Sequence, residues 1–356
     1  MLQKISLDTY LVGWGSISAE RHAAAATILA IANAARGIAD LIAAGGLHGG
    51  LAAAVGANQA GDMQKLLDVQ ANDIIIAALR MAPVALVASE ELDQPLRCNP
   101  DARLAVAIDP LDGSSNIDTN APVGTIFSIL PMPEAGEGDE DLARPFLVPG
   151  SQQIAAGYII YGPQCALVLT VGKGTHVFTL DRSSGLFKLT GGALQIPAQS
   201  REFAINASNK RHWSNPIRSY VADLTAGMEG PRGEDHNMRW IASLVAEFHR
   251  ILVRGGVYLY PADARRGYAE GRLRLVYEAN PIAMLAEQAG GRATDGNVRI
   301  LDVIPTAVHQ RIPLVFGSRD EVERIAGYVN CQPAGATGSR RVGSHPLFRD
   351  RGLYQA

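Results

Sequence analysis

Cysteine is scarce. Cys98, Cys165 and Cys331 are odd in number, far apart and form no CxxC pair, which excludes a disulfide framework and points to a reducing compartment. An excess of one charge is also missing: 32 Lys and Arg stand against 35 Asp and Glu, and the formal net charge is −3. That balance offers nucleic acid no clustered basic surface. The opening Met1-Leu2-Gln3-Lys4 has no basic region leading into an apolar core and a small-residue cleavage site, so a signal peptide is not expected and a cytoplasmic location is. Only the alanine-rich run from Ala23 to Ala44 approaches the length of a membrane span, and Arg36 and Asp40 interrupt it with helical periodicity. A soluble helix is expected there, and no membrane partner. Gly172-Lys173-Gly174 is too short for a P-loop and reads as a hairpin turn. No internal repeat and no Ser, Cys or His nucleophile is evident.

What is present is a chain of 356 residues, 47% hydrophobic, enough for one large or two closely packed domains. Its organising stretch is Ala105-Val106-Ala107-Ile108-Asp109-Pro110-Leu111-Asp112-Gly113-Ser114-Ser115-Asn116-Ile117-Asp118. An apolar strand ends on an acid, turns at proline and delivers a second acid, with the Leu111 carbonyl between them. Hard oxygen donors so grouped suit a divalent cation, and the Gly-Ser-Ser-Asn that follows supplies N–H and hydroxyl donors for phosphate oxygens. A plain strand and polar turn would draw on the same residue types.

Other acids follow the same logic. Val84 to Ala88 reads as a strand running into Ser89-Glu90-Glu91, and Arg272 to Glu278 as a third strand ending on an acid. After it, Asn280 is expected to cap a helix from Ile282 to Ala289 with Pro281 in the first position. Sites in open α/β sheets lie beyond the carboxyl ends of strands, so these ends are expected to converge. Asp62 and Asp68 follow a Gly/Ala-rich stretch from Leu47 to Gly61 that reads as a mobile loop, and Asp73 reads as a cap of a helix from Ile74 to Met81.

The remaining chain places these motifs. Ala19 to Ala44 is expected to be helical with Ile28, Ile31, Ala35, Ile38 and Ile42 on one face. A strand from Val123 to Leu130 is followed by an exposed loop over 131–150 and a meander of strands up to Leu189. A second unit starts near Ser200. It holds a strand ending at Asn206, a helix from Asn215-Pro216, and an amphipathic helix from Met238 to Leu252 that Arg239 and Trp240 open, with His249 as a core or capping histidine. A strand over Val257 to Tyr260, another over Ile312 to Phe316 and a helix from Arg319 to Val329 complete it. The tail carries Pro346-Leu347-Phe348, which reads as a short docking motif.

Ser89-Glu90-Glu91, the Asp109 to Asp118 stretch, Val123-Gly124-Thr125-Ile126-Phe127 and Tyr277-Glu278-Ala279-Asn280-Pro281 resemble class I fructose-1,6-bisphosphatases. The resemblance runs in order from about Ala19 to Val329. It takes in Arg239 to Pro261 and Asp302-Val303-Ile304-Pro305-Thr306 with His309-Gln310-Arg311. The Asp-Pro-Leu-Asp-Gly-Ser-Ser core by itself also looks like the wider inositol-monophosphatase-type superfamily.

The resemblance implies an α/β fold, a layered α-β-α-β-α sugar-phosphatase with mixed sheets. Residues 1–199 would carry the metal site and regulation, 200–330 the sugar-phosphate contacts, and 331–356 a tail. It implies Mg2+, two or more ions per site with Mn2+ as an alternative, held by Glu90, Asp109, the Leu111 carbonyl, Asp112 and Glu278, with Asp62 completing a further site. Glu91 and Asp68 would accept the proton of the attacking water. Asp112, Gly113, Ser114 and Ser115 would hold the phosphate being cleaved. The other phosphate would fall to Asn206, Asn209, Arg239, Trp240, Tyr260 and Arg272, with Arg274 nearby.

By the same resemblance the Arg239 position reaches a neighbouring active site, implying at least a dimer and usually a homotetramer. Asn209 and Trp240 stand where tyrosines are usual in animal members, Arg272 stands for a lysine, and there are extra residues between Tyr260 and Arg272. The Gly-Thr-Gly-Glu-Leu used for AMP is not found near Ala19 to Leu29, so AMP inhibition is not expected. The implied reaction is magnesium-dependent hydrolysis of fructose 1,6-bisphosphate to fructose 6-phosphate in gluconeogenesis or the Calvin cycle. A dual-specificity enzyme that also takes sedoheptulose 1,7-bisphosphate is the nearest alternative. An inositol-type monophosphatase and a catalytically dead sensor stand further off.

Overall fold

The computed structural model describes residues 4–48, 50, 53–57, 63–133 and 141–330. Near the N-terminus, α1 (Leu7–Gly15) and α2 (Ala19–Ala44) pack together, and α2 has the limits its periodicity predicts, with Ser18 accepting from Arg21 N–H at 3.2 Å as the N-cap. α2 is long and apolar enough to cross a membrane by length and composition. Its Ile28, Ile31, Ala35 and Ile38, however, are buried in a core shared with the sheet below, which is where an apolar stripe on a globular helix belongs.

The stretch read as a mobile loop, Leu47 to Gly61, contains one strand, β1 (Ala54–Ala57), which pairs antiparallel with β2 (Met63–Lys65) just beyond it. Asp62 lies outside the described residues. α3 (Leu66–Arg80) begins a full two turns earlier than the expected start at Ile74, because the Asp68 carboxylate accepts the Lys65 N–H at 2.7 Å and caps the helix from inside its first turn. Asp73 is therefore an exposed mid-helix residue rather than a cap.

β3 (Leu86–Ser89), β4 (Leu96–Arg97), β5 (Leu104–Asp112), β6 (Val123–Pro131), β7 (Ala155–Tyr161), β8 (Cys165–Thr170), β9 (Thr175–Asp181) and β10 (Leu186–Leu194) form one mixed sheet, in the order β10-β9-β8-β7-β6-β5-β3-β4. Only β3 and β5 pair in parallel within it. Alternation along its strands sends Phe127, Ile129, Ile159 and Leu167 toward α1, α2 and α3, and Ile126, Tyr158, Ile160 and Val168 to the opposite face. The loop over 131–150 is not wholly exposed, since Phe146 is buried beside Leu86 and Tyr277.

A second sheet runs β12 (Asn237–Met238), β11 (Glu202–Ala204), β13 (Val257–Tyr260), β17 (Leu314–Gly317), β15 (Arg292–Thr294), and β14 (Leu273–Arg274) pairs separately with β16 (Arg311–Ile312). Helices α5 (Leu244–Arg254) and α6 (Asn280–Gln288) fill the space between the two sheets, while α4 (Asn215–Thr225) and α7 (Arg319–Asn330) cover the outer face of the second. The result is five layers, α-β-α-β-α. His249, on α5, is a core histidine whose Nδ1 lies 2.9 Å from the Tyr158 hydroxyl.

Two elements differ from the sequence expectation in ways that matter for the site. α5 starts at Leu244, not Met238: Ser243 caps it, and Ala242 just ahead has φ 62, a left-handed conformation that no helix accommodates. Arg239 and Trp240 thus lie on the segment leading to the helix. The strand expected from Arg272 to Glu278 stops at Arg274 and becomes a π-helical turn, Leu275–Ala279, that runs straight into α6 with Asn280 as its first residue rather than its cap. The cause is local, for the Glu278 carboxylate accepts the Arg274 N–H and closes the turn on itself.

Candidate active site

The parallel pairing of β3 with β5 sets Ser89 opposite Ile108, so Glu90, just past the end of β3, follows alongside Asp109 in β5. Glu90 N–H still bonds the Ile108 carbonyl at 3.1 Å. Ser89 fixes the turn after it by donating to Asn72 Oδ1 at 2.8 Å and accepting the Glu91 N–H at 3.3 Å. Asp109 and Asp112, an odd number of positions apart, would point to opposite faces of a regular strand. A bulge prevents this. Asp109 pairs with Ile126 and Asp112 with Gly124, so the β5 side holds one residue more than the β6 side. Pro110 has no N–H to lose there, its carbonyl accepts from the Thr125 hydroxyl at 2.9 Å, and Leu111 N–H donates to Asp109 Oδ1 at 2.9 Å.

The bulge and the π-turn bring three buried carboxylates together: an oxygen from each of Asp109, Asp112 and Glu278 lies within 4.8 Å of the other two. Burial, then the charges of Glu90, Asp112, Glu278 and Glu91, hold the Asp109 carboxyl well above the usual range. Burial and the Glu90 charge do the same for Glu278, against the Arg274 N–H that favours its ionised form. Asp112 is raised by burial and eased by donors at the start of α5, with Val245 N–H and Ser243 Oγ both 3.0 Å from Oδ2. Such a set cannot carry its full negative charge alone. Clustered hard oxygens, on a bulge that also carries the buried Leu111, are the donor set of a divalent cation, so the residues present fit a metal.

Beside the acids, Gly113 takes φ 77 and lies so close to Ser243 that an added Cβ would sit 2.9 Å from the serine Cβ. Only glycine fits. Ser114–Asn116 then makes a tight turn, and Asn116 Nδ2 donates to the Ile241 carbonyl at 3.1 Å and to that of Ala242 at 3.3 Å. Lys65 Nζ bonds Asp118 at 3.0 Å. Asp68, only 3% exposed, uses Oδ2 as the α3 cap while Oδ1 has no hydrogen-bond partner among the described residues. Burial pushes its carboxyl up to about 6, helped by the Glu91 charge and opposed by Lys65 and by the nearby Ser114 hydroxyl.

On the other side of the Ile241-Ala242 turn, Asn206, Asn209, Trp240 and Tyr260 line one cavity together with Trp213 and Asp263. Trp240 stacks on Tyr258 with the rings 9° from parallel and 5.9 Å apart. Arg272 donates to the Tyr268 hydroxyl. Arg239 is not among the residues lining the cavity: its side chain is 52% exposed and its Nε lies 3.7 Å from Glu202. Arg274 stands with the acid cluster, its N–H on Glu278 and its guanidinium on the His309 carbonyl at 3.0 Å. Asp62 cannot be located within the described residues.

Several contributors escape the sequence reading. Ser243 both caps α5 and holds Asp112. A serine directly before the apolar run Leu244-Val245 was a legible helix-start signal. Glu247, wholly buried, accepts the Ile241 N–H at 2.6 Å and so pins the turn between the acids and the cavity. No local pattern announces a buried glutamate on an amphipathic helix.

Comparison with known proteins fits this geometry. Family models described as the N-terminal and C-terminal domains of fructose-1,6-bisphosphatase match residues 9–192 and 196–330. A class 1 fructose-1,6-bisphosphatase of Methylobacterium radiotolerans is 54% identical, over 94% of this chain and 92% of that protein. One from Xanthobacter autotrophicus is 53% identical, over 92% of this chain and all of its own. Among solved structures, the Leishmania major fructose-1,6-bisphosphatase in holo form superposes with a TM-score of 0.86 at 35% identity, covering 92% of this chain and 99% of that one.

Proposed function

This chain belongs to the class 1 fructose-1,6-bisphosphatase family, and we propose that it hydrolyses the 1-phosphate of fructose 1,6-bisphosphate with two or more Mg2+ ions, or Mn2+ in their place. The observation that carries this reading is the convergence of Asp109, Asp112 and Glu278 in one buried cluster, with the Gly113 turn directly after Asp112. Glu90 and the Leu111 carbonyl complete the metal ligands, and Asp62 adds one from the segment before β2. Bound divalent ions neutralise the phosphate, acidify water and stabilise the leaving alkoxide.

The protein's own groups do the rest. The Gly113-Ser114-Ser115 donors, with Asp112 beside them, orient the phosphate being cleaved, and an in-line displacement then needs positioning more than a protein nucleophile. Asp68 and Glu91 accept the water proton. A carboxyl titrating near 6 with an uncommitted oxygen suits a base working near neutral pH. Asn206, Asn209, Trp240, Tyr260 and Arg272 grip the distal phosphate, and Arg274 orients Glu278 from the metal side.

The exposure of Arg239 supports a role in a neighbouring site, and with it a homotetramer in which that guanidinium completes another protomer's distal subsite. Residues 1–199, joined by Glu278, then supply the reaction and the rest of 200–330 the substrate length, in a cytoplasmic enzyme of gluconeogenesis or the Calvin cycle. The test is phosphate release from fructose 1,6-bisphosphate, sedoheptulose 1,7-bisphosphate and inositol monophosphate, with and without Mg2+ and AMP. Mg2+-dependent release from the fructose substrate, insensitive to AMP, is expected. Turnover of inositol monophosphate alone, or binding without turnover, would overturn the reading.

A further inference from the structure

The loop between β13 and β14 does more than connect them. It is tied back onto the turn carrying Asn206 and Asn209: Ala264 N–H bonds the His212 carbonyl at 3.1 Å, and Asp263 bridges Trp213. Asp263, a cavity residue, also holds Arg265 through both carboxylate oxygens, and the guanidinium's hydrogen bonds keep that carboxyl below its usual range. Asp263 N–H bonds the Tyr268 carbonyl at 3.1 Å, closing the loop.

Two guanidiniums meet at one ring. The Arg265 Cζ is 3.9 Å from the Tyr268 ring centroid and the Arg272 Cζ 4.9 Å from it, while Arg272 also donates an N–H to the Tyr268 hydroxyl. Arginine is long and rotamer-rich, and its planar fork recognises a phosphate only when the plane is correctly presented. A ring that takes the guanidinium at its edge by a hydrogen bond and over its face by a cation–π contact removes that freedom before substrate arrives. Burial raises the Tyr260 hydroxyl and the Arg272 charge opposes this, while Tyr260 itself lines the cavity.

We propose that Tyr268, braced by the Asp263–Arg265 pair, is a positioning residue that presets Arg272 for the distal phosphate of the sugar bisphosphate. This rests on the proposed function above. Its effect belongs to ground-state binding of the distal phosphate and not to the chemistry at the acid cluster. Tyr268→Phe keeps the ring and removes the hydroxyl. It is expected to raise KM for fructose 1,6-bisphosphate about tenfold, the loss associated with one hydrogen bond to a charged group, with kcat unchanged. Tyr268→Leu, lacking both contacts, is expected to lose more.

Calorimetric binding of fructose 6-phosphate, which carries the distal phosphate alone, should weaken in parallel, and hydrolysis of fructose 1-phosphate, which lacks it, should not change. In an Arg272→Gln background Tyr268→Phe should have no further effect. Equal affinities of wild type and Tyr268→Phe for fructose 6-phosphate, or a penalty that persists without Arg272, would overturn the proposal. Loss of turnover with fructose 6-phosphate binding and its Tyr268 dependence intact would count against the proposed reaction and leave this inference standing.

Discussion

The acid cluster and the distal cavity hold charge in opposite ways. Asp109, Asp112 and Glu278 are like charges packed together in the dark of the fold, their oxygens within 4.8 Å and their protonation favoured by burial. Around the cavity, guanidiniums are met by opposite charge or by rings: Arg265 by Asp263, Arg239 by Glu202, Arg272 by Tyr268. The first region is strained until a cation enters. The second meets each guanidinium with a partner in the protein, so it answers to geometry more than to ion binding. On the proposed function, the reaction and the choice of substrate rest on separate electrostatic designs in one fold, and variants in each region test whether one breaks without the other.

The largest effect is expected from Asp112→Asn. One charge leaves the metal ligands, and phosphate release should fall by about 10³-fold or more, the equivalent of several kcal/mol of lost charge stabilisation. The asparagine can still accept from Ser243 and Val245, so circular dichroism should be unchanged. Mg2+ is expected to raise the melting temperature of the wild type by binding only the folded state, and this rise should shrink or vanish in the variant. Full activity in a folded variant would end the metal assignment.

Asp68→Asn comes next. Loss of a general base lowers kcat by roughly 10²–10⁴-fold. In wild type the base must be ionised, so activity should climb as pH rises through about 6, and this limb should disappear in the variant. Stability runs the other way. The folded carboxyl titrates at about 6 against 3.8 unfolded, so the folded chain binds more protons between these values. The ionised group therefore weakens the fold as pH rises through that window and fully above it. In metal-free protein Asp68→Asn should be the more stable form at pH 8, by on the order of 2 kcal/mol, with the difference gone at pH 3. A chemical-denaturation series across pH reads this directly.

How much of this contrast could be read in the chain depends on where each contact comes from. Asp109, Asp112 and Gly113-Ser114-Ser115 are contiguous, and oxygen donors so dense announce a cation and a phosphate by themselves. The positions of β3 and β5 likewise follow from apolar runs and their punctuation, whereas the five-layer order comes from the family resemblance. Yet the device that turns Asp109 and Asp112 to one face is a bulge set by pairing with β6, which spacing within β5 does not reveal. Glu278 was visible as an acid, but its carboxylate takes the Arg274 N–H and converts an expected strand end into a π-turn. The helix opened by Arg239 failed for a similar reason, since Ala242 and the Ser243 cap override an apolar periodicity that extends further back. Around the cavity, Tyr268 and Asp263 acquire their partners only through the folding of a loop, and a sequence carries no period for that.

Ser243→Ala probes the seam between the two regions. It removes the α5 cap and one of two donors to a buried Asp112 oxygen. A stability loss of about 1–3 kcal/mol is expected, with a weaker apparent Mg2+ affinity and little change in fructose 6-phosphate binding. An equal loss in both affinities would mean the two regions are less separable than their electrostatics suggest.

The smallest effect is expected at Ala242, and it bears most directly on how the regions are spaced. This exposed residue holds φ 62, where a Cβ is disfavoured by roughly 1 kcal/mol. Replacement by glycine relieves that strain in the folded state but adds freedom to the unfolded one, so Ala242→Gly should change stability by less than about 1 kcal/mol, in the stabilising direction. The turn does not depend on Ala242 for its shape. Asn116 grips the Ile241 and Ala242 carbonyls from the phosphate loop, and Glu247 takes the Ile241 N–H from within α5. With both clamps in place, KM and kcat for fructose 1,6-bisphosphate should stay within about twofold of wild type, and the same glycine in an Asn116→Ala background should raise KM, because a flexible turn then lets the distance between the acids and the cavity drift. A glycine variant that alters KM by itself would show that the left-handed alanine, and not its clamps, sets that distance.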